Sequence, residues 1–333
     1  MMRMVWVLLL AGLAWCTWWW IAATSFERNI TGWFTQRHDE GWQADMSGLR
    51  RAGFPLVLEI TLENPALADP ETGLAVQTSA LVLRAPAYWP GDVTVSLPDD
   101  AISVATPNGR LALKAERAKA DLRLHPGAAL ELDELTLQSG NWSISAPEGL
   151  LLSGASMTVA ATQSQTPEEY ILALSLPGLS PGELPRSTFR IPNDWPVTFD
   201  SVDLDLAVTF DRVWDRRALE EQRPQPRQIH LRLADIAWGD LRIKAAGQLE
   251  VNDAGVPTGV VSLQAQNWQD ILQLAETTGA FPTVLRDQAE RVLTGLAGAS
   301  GNPNTLDVQL NFMRGWVALG FIPLGPAPRL ILR

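Results

Sequence analysis

Residues Ser201–Phe210 read SVDLDLAVTF, and the pattern of this stretch decides the fold class. Apolar side chains occupy every second position, and aspartates or a small residue stand between them. Such alternation is typical of an antiparallel strand with one buried face and one solvated face. The apolar positions that we expect on the buried face are Leu204, Leu206 and Val208.

The same alternation recurs along most of the chain, with Pro-Gly and Asn-Gly pairs such as Pro90-Gly91 and Asn108-Gly109 between the segments. Predicted strands cover Leu56–Leu62, Ser79–Arg84, Asp92–Leu97, Arg110–Lys114, Ala120–Leu124, Ala129–Thr136, Trp142–Ser145, Met157–Ala161, Tyr170–Leu176, Ile229–Leu233, Leu241–Val251, Gly259–Ala265 and Leu306–Phe312. The sequence therefore predicts a mainly β chain with a few α-helices, built around a large antiparallel sheet. The alternation does not distinguish a closed sandwich from a curled sheet that leaves an open groove.

Three segments break the strand pattern. Asn267–Thr278 and Phe281–Ala297 predict a pair of helices near the C-terminus, the second with an apolar stripe that includes Leu285, Ala289, Val292, Leu293 and Leu296. Asp211–Arg227 is charged and interrupted by prolines, which predicts a long exposed loop with one helical turn. Prolines also cluster over Pro177–Pro196, where we place a boundary between β-rich halves at 42–180 and 181–333.

The run Met4–Ala23 carries no ionisable side chain except the thiol of Cys16. Twenty helical residues span about 30 Å, the thickness of a bilayer's hydrocarbon core. We predict a transmembrane signal anchor over residues 1–24 and a juxtamembrane helix over 25–41. Indole rings favour the membrane–water interface, which places Trp18, Trp19 and Trp20 there.

Two other interpretations of this segment remain open. A cleaved signal peptide has a shorter apolar region and a small-residue cleavage site, for which only Ala23-Thr24-Ser25 offers a weak match. A lipid attachment at Cys16 conflicts with Trp15, which stands where a small residue is needed. The retained anchor is favoured over both.

The distribution of charge predicts the topology and excludes one class of partner. Arg3 precedes the apolar run, so the positive-inside rule places the N-terminus in the cytoplasm and the bulk of the chain outside it. We expect a single-pass protein of the inner membrane whose main part is periplasmic. The net charge of −11 argues against a nucleic-acid partner.

The sequence contains no recognisable catalytic or metal-binding motif. His38, His125 and His230 are isolated from one another, and no Gly-x-Ser-x-Gly motif occurs. Asp203 and Asp205 share one strand face, but without the loop of a calcium site they indicate a solvated surface. Packing explains the exported tryptophans in polar or proline-rich contexts more simply than carbohydrate binding does; these are Trp33, Trp42, Trp89, Trp195, Trp214, Trp238 and Trp268. We therefore expect no enzyme activity, no catalytic residue, no metal site and no cofactor.

Several short motifs carry a resemblance to a known family. They are Gly41-Trp42, Gly53-Phe54-Pro55, Leu231-Arg232-Leu233-Ala234-Asp235, Ala246-Gly247-Gln248-Leu249 and the run Gly315–Pro326. Together they resemble the bacterial family called domain of unknown function 2125 and, more loosely, the AsmA-like envelope proteins. The resemblance implies a β-rich fold on the periplasmic side of the inner membrane. It also implies a connection with envelope lipid, and it assigns no catalytic residue.

These features leave two main functional hypotheses. In the first, the protein is a membrane-anchored envelope protein that contacts or carries lipid, with Leu204, Leu206 and Val208 facing the lipid. Its partners are then inner-membrane lipids. In the second, it is a structural or assembly factor that binds other envelope proteins through its acidic surface and strand edges. An enzyme is a third and weaker hypothesis.

Overall fold

The computed structural model describes residues 2–220, 222–277, 286–299, 302–319 and 322–332. As the alternation predicts, the chain is mainly β and begins with a long apolar helix. The helices are α1 (Met2–Asp39), α2 (Glu183–Thr188), α3 (Arg217–Glu220), α4 (Trp268–Thr277) and α5 (Arg286–Ala299). Of the predicted C-terminal helix pair, Thr278 and residues 281–285 lie outside the described residues.

The strands in chain order are β1 (Gln43–Asp45), β2 (Gly48–Ala52), β3 (Val57–Glu63), β4 (Ala66–Asp69), β5 (Leu74–Gln77), β6 (Ala80–Pro86), β7 (Asp92–Ser96), β8 (Ile102–Thr106), β9 (Gly109–Ala115), β10 (Lys119–Leu124), β11 (Leu132–Ser139), β12 (Trp142–Ala146), β13 (Gly149–Gly154), β14 (Met157–Gln163), β15 (Glu169–Ser175), β16 (Ser180–Pro181), β17 (Ser201–Phe210), β18 (Pro226–Trp238), β19 (Leu241–Val251), β20 (Pro257–Gln266), β21 (Thr305–Met313), β22 (Trp316–Leu319) and β23 (Ile322–Pro326). Within the described residues they form a small sheet in the order β1-β4-β5-β8-β9-β12-β13-β16. The large sheet has the order β2-β3-β6-β7-β10-β11-β14-β15 and continues through β17 to β23.

The first half of the chain alternates between the two sheets. A hairpin in the large sheet, such as β2–β3, is followed by one in the small sheet, such as β4–β5. The shortest crossings are two residues long and cover residues 46–47, 64–65, 78–79, 140–141 and 155–156. Such short crossings require the two sheets to meet along a line, which we call the corner. Asn64 and Arg117 turn the chain there with φ of 47° and 50°.

The large sheet has one apolar and one polar face. Cross-strand neighbours on the apolar face include Leu83 and Val95, Leu122 and Leu135, Leu174 and Leu204, Ala245 and Leu263, and Val261 and Leu310. On the opposite face, side chains hydrogen-bond between strands, as in the pairs Thr94 and Asp121, Arg123 and Glu134, Ser175 and Asp203, and Gln264 and Asp307. We call the apolar side the inner face and the polar side the outer face.

Helix α1 lies on the inner face at one end of the large sheet. Its buried Phe34 packs with Ile60 and Leu62 of the large sheet and with Leu67 of the small sheet. The apolar faces of both sheets therefore face each other across the helix. We call the space between these two apolar faces, which starts at the corner and ends at α1, the groove, and the two sheets its walls.

Helices α4 and α5 cover the inner face at the other end, as the predicted amphipathic pattern required. Trp268, Leu272 and Ala297 form a buried cluster with Ala265 and Leu306 of strands β20 and β21. In the predicted stripe of the second helix, Leu293 packs on this cluster, whereas Val292 is exposed. Leu285 and the side chains of Ala289 and Leu296 lie outside the described residues.

The prediction that Asp211–Arg227 forms a long exposed loop is wrong, because Pro226 and Arg227 begin β18 and several described residues before them are buried. The carboxylate of Asp215 and the methyl of Ala218 are buried, and Pro224 is among the most buried residues. Asp215 is tolerated there because Arg217 donates hydrogen bonds to it from its backbone N–H and its guanidinium. The predicted helical turn within this segment is confirmed as α3.

The bounds of several strands differ from the sequence pattern. Strand β11 begins at Leu132, three residues after the predicted start at Ala129, because Leu130 adopts a left-handed conformation with φ of 51°. Strands β15 and β17 lie on either side of the proline-rich segment Pro177–Pro196, and they pair from Glu169↔Thr209 to Ser175↔Asp203.

Candidate functional site

The middle of the inner face is lined by apolar side chains that remain half-buried. They include Leu122, Leu135, Leu137, Val159, Leu174 and Leu204 of the large sheet. The helices pack elsewhere: α1 on β1 and β3, α4 on β19 and α5 on β21. In a closed sandwich, residues at such positions are buried by the opposite sheet. Their partial exposure means that solvent reaches the space between the two faces and that no described element covers these side chains completely.

The wall formed by the small sheet has the same character. Val104 pairs with both Val76 and Leu111, and Leu113 pairs with Ile144, so these side chains share one face. All of them are half-buried. Both walls of the groove therefore present aliphatic side chains that solvent partly reaches.

The floor of the groove is a packed cluster at the corner. Trp142 is buried with Ala115 and Ala118, and its indole N–H donates a hydrogen bond to the carbonyl oxygen of Ser156 at 3.1 Å. Leu152 of the small sheet and Met157 of the large sheet pack against this cluster. The cluster holds the two sheets together where they meet.

The three residues that the sequence analysis proposed as lipid-facing lie on strand β17 of the inner face. Leu204 and Leu206 are half-buried and lie opposite leucines of β15. Val208 is only 4% exposed, because it packs with Tyr170, Phe210 and neighbouring apolar residues. The structure thus places Leu204 along the open part of the groove and Val208 in a packed cluster at its rim, against which Leu206 also packs.

That rim cluster is fixed by a buried phenol. Tyr170 is 1% exposed, and its hydroxyl donates a hydrogen bond to the carbonyl oxygen of Leu132 at 3.1 Å. The ring of Trp214, from the loop before α3, lies edge-on to Phe210. Burial raises the pKa of the Tyr170 hydroxyl above its ordinary value of 10, and the nearby Glu131 carboxylate acts in the same direction.

The tryptophans predicted at the membrane interface bind the end of the large sheet. The indole N–H of Trp18 donates to the carbonyl oxygen of Ala87, and that of Trp19 to Val57, each at 3.0 Å. Trp15 donates to Pro55 at 2.9 Å. Trp20 points away and is 57% exposed. The sequence analysis missed the role of Trp15, since a partner forty residues away leaves no local signal.

The outer face also has a concave region, of about 770 Å³, near the end of the large sheet bound by α1. Its charged side chains neutralise one another. Arg84 pairs with Glu59 at 2.7 Å, and Arg123 pairs with Glu134 at 2.9 Å. The cations and carboxylates of these two pairs therefore compensate each other's charge within the chain.

The aspartates of the outer face are similarly engaged. Asp203 accepts a hydrogen bond from Ser175 at 2.6 Å, and Asp205 lies 3.4 Å from the guanidinium of Arg232. Asp235 accepts two hydrogen bonds from Arg242, at 3.0 and 2.6 Å. These bonds hold the pKa of the Asp235 carboxyl below its ordinary value of 3.8.

Helix α1 is, among the described residues, the one helix long and apolar enough to span a membrane. The most apolar part of this helix is not buried within the structure. The fold and site thus define a class of protein: an antiparallel β-groove joined to a helix suited to membrane anchoring.

The chain belongs to the family DUF2125, described as an uncharacterized protein conserved in bacteria, whose model matches residues 19–328. This confirms the resemblance drawn from the short motifs. The AsmA-like resemblance stays a prediction. No curated protein sequence matches the chain.

Proposed function

We propose that this protein is a non-enzymatic envelope protein, anchored in the inner membrane by α1, whose groove holds the acyl chains of a lipid. The observation that carries the proposal is the partial exposure of aliphatic side chains on both walls, among them Leu204 and Leu113. Contiguous apolar surface of this kind marks a binding site in soluble domains.

The energetics favour exchange of lipid with the membrane. Burying a methylene group is worth about 0.8 kcal/mol, so ten methylenes in the groove gain about 8 kcal/mol relative to water. A bilayer offers an acyl chain the same gain. A groove attached to the membrane can therefore take up and return an acyl chain at little net cost in free energy. Transfer through water would be the barrier, because the acyl chain would lose the hydrophobic gain there.

The proposed orientation of the protein in the membrane follows from the position of one charged residue. Arg3 lies before the apolar run of α1 and marks its cytoplasmic end under the positive-inside rule. The groove would then lie in the periplasm. Acyl chains suit its walls because these are aliphatic, and no charged residue is required to recognise them.

Photo-crosslinking in the membrane tests the proposal. The photoreactive residue p-benzoylphenylalanine replaces Leu204 in the full chain, and Thr158, exposed on the outer face, serves as the matched control position. After illumination of membranes, intact-protein mass spectrometry reads the mass added to the chain. We expect a phospholipid or a lipid A precursor on the Leu204 variant and none on the Thr158 variant.

The alternative function, an assembly factor for other envelope proteins, predicts a different product. Crosslinks from Leu204 to another polypeptide, without a lipid adduct, would establish the assembly factor and contradict lipid binding. Equal lipid adducts at both positions would show that the groove has no preference for lipid over the outer face.

A further inference from the structure

Two neighbouring loops at the end of the large sheet expose apolar side chains and carry no charge. One is the β2–β3 turn, with the sequence GFPLV at residues 53–57, and the other is APAYWPG at residues 85–91. Phe54, Leu56 and Tyr88 are 56%, 66% and 72% exposed. We call these two segments the apolar tip.

The apolar tip is fastened to the side of α1 within its apolar run. Trp15, Trp18 and Trp19 donate their indole N–H groups to carbonyl oxygens of the tip. In addition, Trp19 packs edge-on against Phe54, with ring centroids 5.3 Å apart. The tip and this part of the helix therefore lie at the same level along the helix axis.

The depth of that level follows from the helical rise. Counting from Arg3, the first charge, Trp15 lies about 18 Å along the helix and Trp19 about 24 Å, at 1.5 Å per residue. The hydrocarbon core of a bilayer is about 30 Å thick. If Arg3 lies at the cytoplasmic surface, Trp15 and the carbonyl oxygen that it binds lie about 12 Å below the opposite surface.

The hydrogen bonding of the tip backbone suits such an environment, where an unpaired carbonyl costs several kcal/mol. Within the tip, Gly53 accepts from the N–H of Val57 and Pro86 from that of Trp89. Leu56 accepts from the N–H of Ala87. The tryptophans of α1 supply donors to three further carbonyls, those of Pro55, Val57 and Ala87. In water, solvent molecules would donate hydrogen bonds to the same carbonyl oxygens, and the indoles would not be needed.

We infer that the apolar tip inserts into the bilayer leaflet opposite Arg3, beside α1. The side chains of Phe54, Leu56 and Tyr88 contact the acyl chains of that leaflet. This inference rests on the proposed anchoring by α1 and adds a second membrane contact. It also places one end of the inner face directly at the leaflet. At this end, which α1 closes, the buried residues Leu58 and Ala87 pack on Ala23.

Environment-sensitive fluorescence on the full chain tests the insertion. In a Cys16→Ala background, single cysteines at Leu56 and Tyr88 carry a nitrobenzoxadiazole label. Leu9 in α1 is the membrane reference. Asn108, exposed in the β8–β9 turn of the small sheet, is the water reference. The protein is reconstituted into vesicles of phosphatidylethanolamine and phosphatidylglycerol. Doxyl lipids then quench the label at shallow or deep positions.

We expect blue-shifted emission at Leu56 and Tyr88 relative to Asn108. Deep doxyl groups should quench the label at Leu56 more strongly than shallow ones, because the neighbouring Pro55 carbonyl that Trp15 binds lies about 12 Å below the surface. Emission at both positions equal to that at Asn108, with Leu9 still in the membrane, would overturn the insertion and leave the anchoring intact. Water-like emission at Leu9 as well would overturn both. Because Leu56 and Tyr88 are exposed and make no side-chain hydrogen bond to α1, the cysteines leave the tip packing in place.

Discussion

The backbone N–H of Trp214 donates a hydrogen bond to the hydroxyl oxygen of Tyr170 at 3.3 Å. The same hydroxyl donates to the carbonyl oxygen of Leu132, and the N–H of Leu132 donates to the carbonyl oxygen of Trp214 at 2.7 Å. One phenol therefore joins β15, the start of β11 and the loop before α3. This loop covers the rim of the groove because the phenol fixes it there.

Replacing this phenol tests the role of its hydroxyl. In Tyr170→Phe, the ring stays and the buried N–H of Trp214 loses its acceptor, which we expect to cost about 1–2 kcal/mol of unfolding free energy at pH 7. Urea unfolding of the full chain in detergent measures the change. An unchanged free energy would show that the loop is held by packing alone.

The same variant alters the response to alkaline pH. Because the pKa of Tyr170 is raised in the folded state, the unfolded chain ionises first as the pH rises past 10. The stabilisation is complete below pH 10 and is lost as the pH rises through the higher folded pKa. We expect the wild type to lose more stability than Tyr170→Phe between pH 9 and pH 11, measured by the same unfolding experiment. Parallel losses would contradict a buried phenol.

The Asp235 carboxylate on the outer face predicts the opposite dependence of stability on pH. The pKa of Asp235 is lowered by hydrogen bonds from Arg242, so its contribution is present above pH 3.8 and is lost as the pH falls through the folded pKa. We expect Arg242→Gln to be less stable than the wild type at pH 7, and the difference to shrink in acid. Unfolding curves at neutral pH and below pH 3.8 measure it. Lys244→Gln, which removes a more weakly acting neighbour of Asp235, is the matched control.

Lipid binding in the groove can be tested by placing the same charge on either face of the large sheet. Leu204→Asp places a carboxylate among aliphatic side chains of the inner face, and Thr158→Asp places the same group on the exposed outer face. We expect Leu204→Asp to remove the lipid adduct formed from p-benzoylphenylalanine at Leu174, and Thr158→Asp to leave it. If both retain the adduct, lipid does not lie beside Leu204. If Leu204→Asp fails to accumulate in membranes, Leu204→Asn is used in its place.

Much of the large sheet could be predicted from local sequence. The predicted bounds are those of the structure for two strands, β17 (Ser201–Phe210) and β19 (Leu241–Val251). Successive residues along these strands point to opposite faces of the sheet, one solvated and one apolar, and the sequence shows this alternation. Strands of the small sheet such as β4 and β5 were missed. They have four residues each, with the sequences ALAD and LAVQ, so the alternation in them is too short to detect.

The site depends on relations that local sequence does not contain. Alternation placed Leu204 and Leu206 on an apolar face, but whether another element covers that face depends on where α1, α4 and α5 pack. The hydrogen bond from Trp15 to Pro55 joins residues forty positions apart. Both facts follow from tertiary packing, which is why the open groove and the apolar tip required the structure.

The cover at the far end of the groove gives the last prediction. Trp268 begins α4, is 2% exposed, and donates its indole N–H to the carbonyl oxygen of Pro303 at 3.0 Å. We expect Trp268→Ala to cost about 3–5 kcal/mol, because it leaves a cavity against Ala265 and Leu306. Trp268→Phe keeps a ring and loses the hydrogen bond, for a cost nearer 1–2 kcal/mol plus a smaller cavity. Gln273→Ala, exposed on the same helix, should change the free energy by less than about 0.5 kcal/mol.

Hydrogen exchange separates a local effect from a global one in these variants. If α4 seals the groove, Trp268→Ala should lose protection in α4 and along β20 and β21 before the corner cluster around Trp142 does. Loss of protection confined to α4, with β20 and β21 unchanged, would mean that the inner face does not depend on this helix for its cover. In that case the groove would be open at its far end, and the acyl chain that we propose for it would extend past Leu263 towards β21.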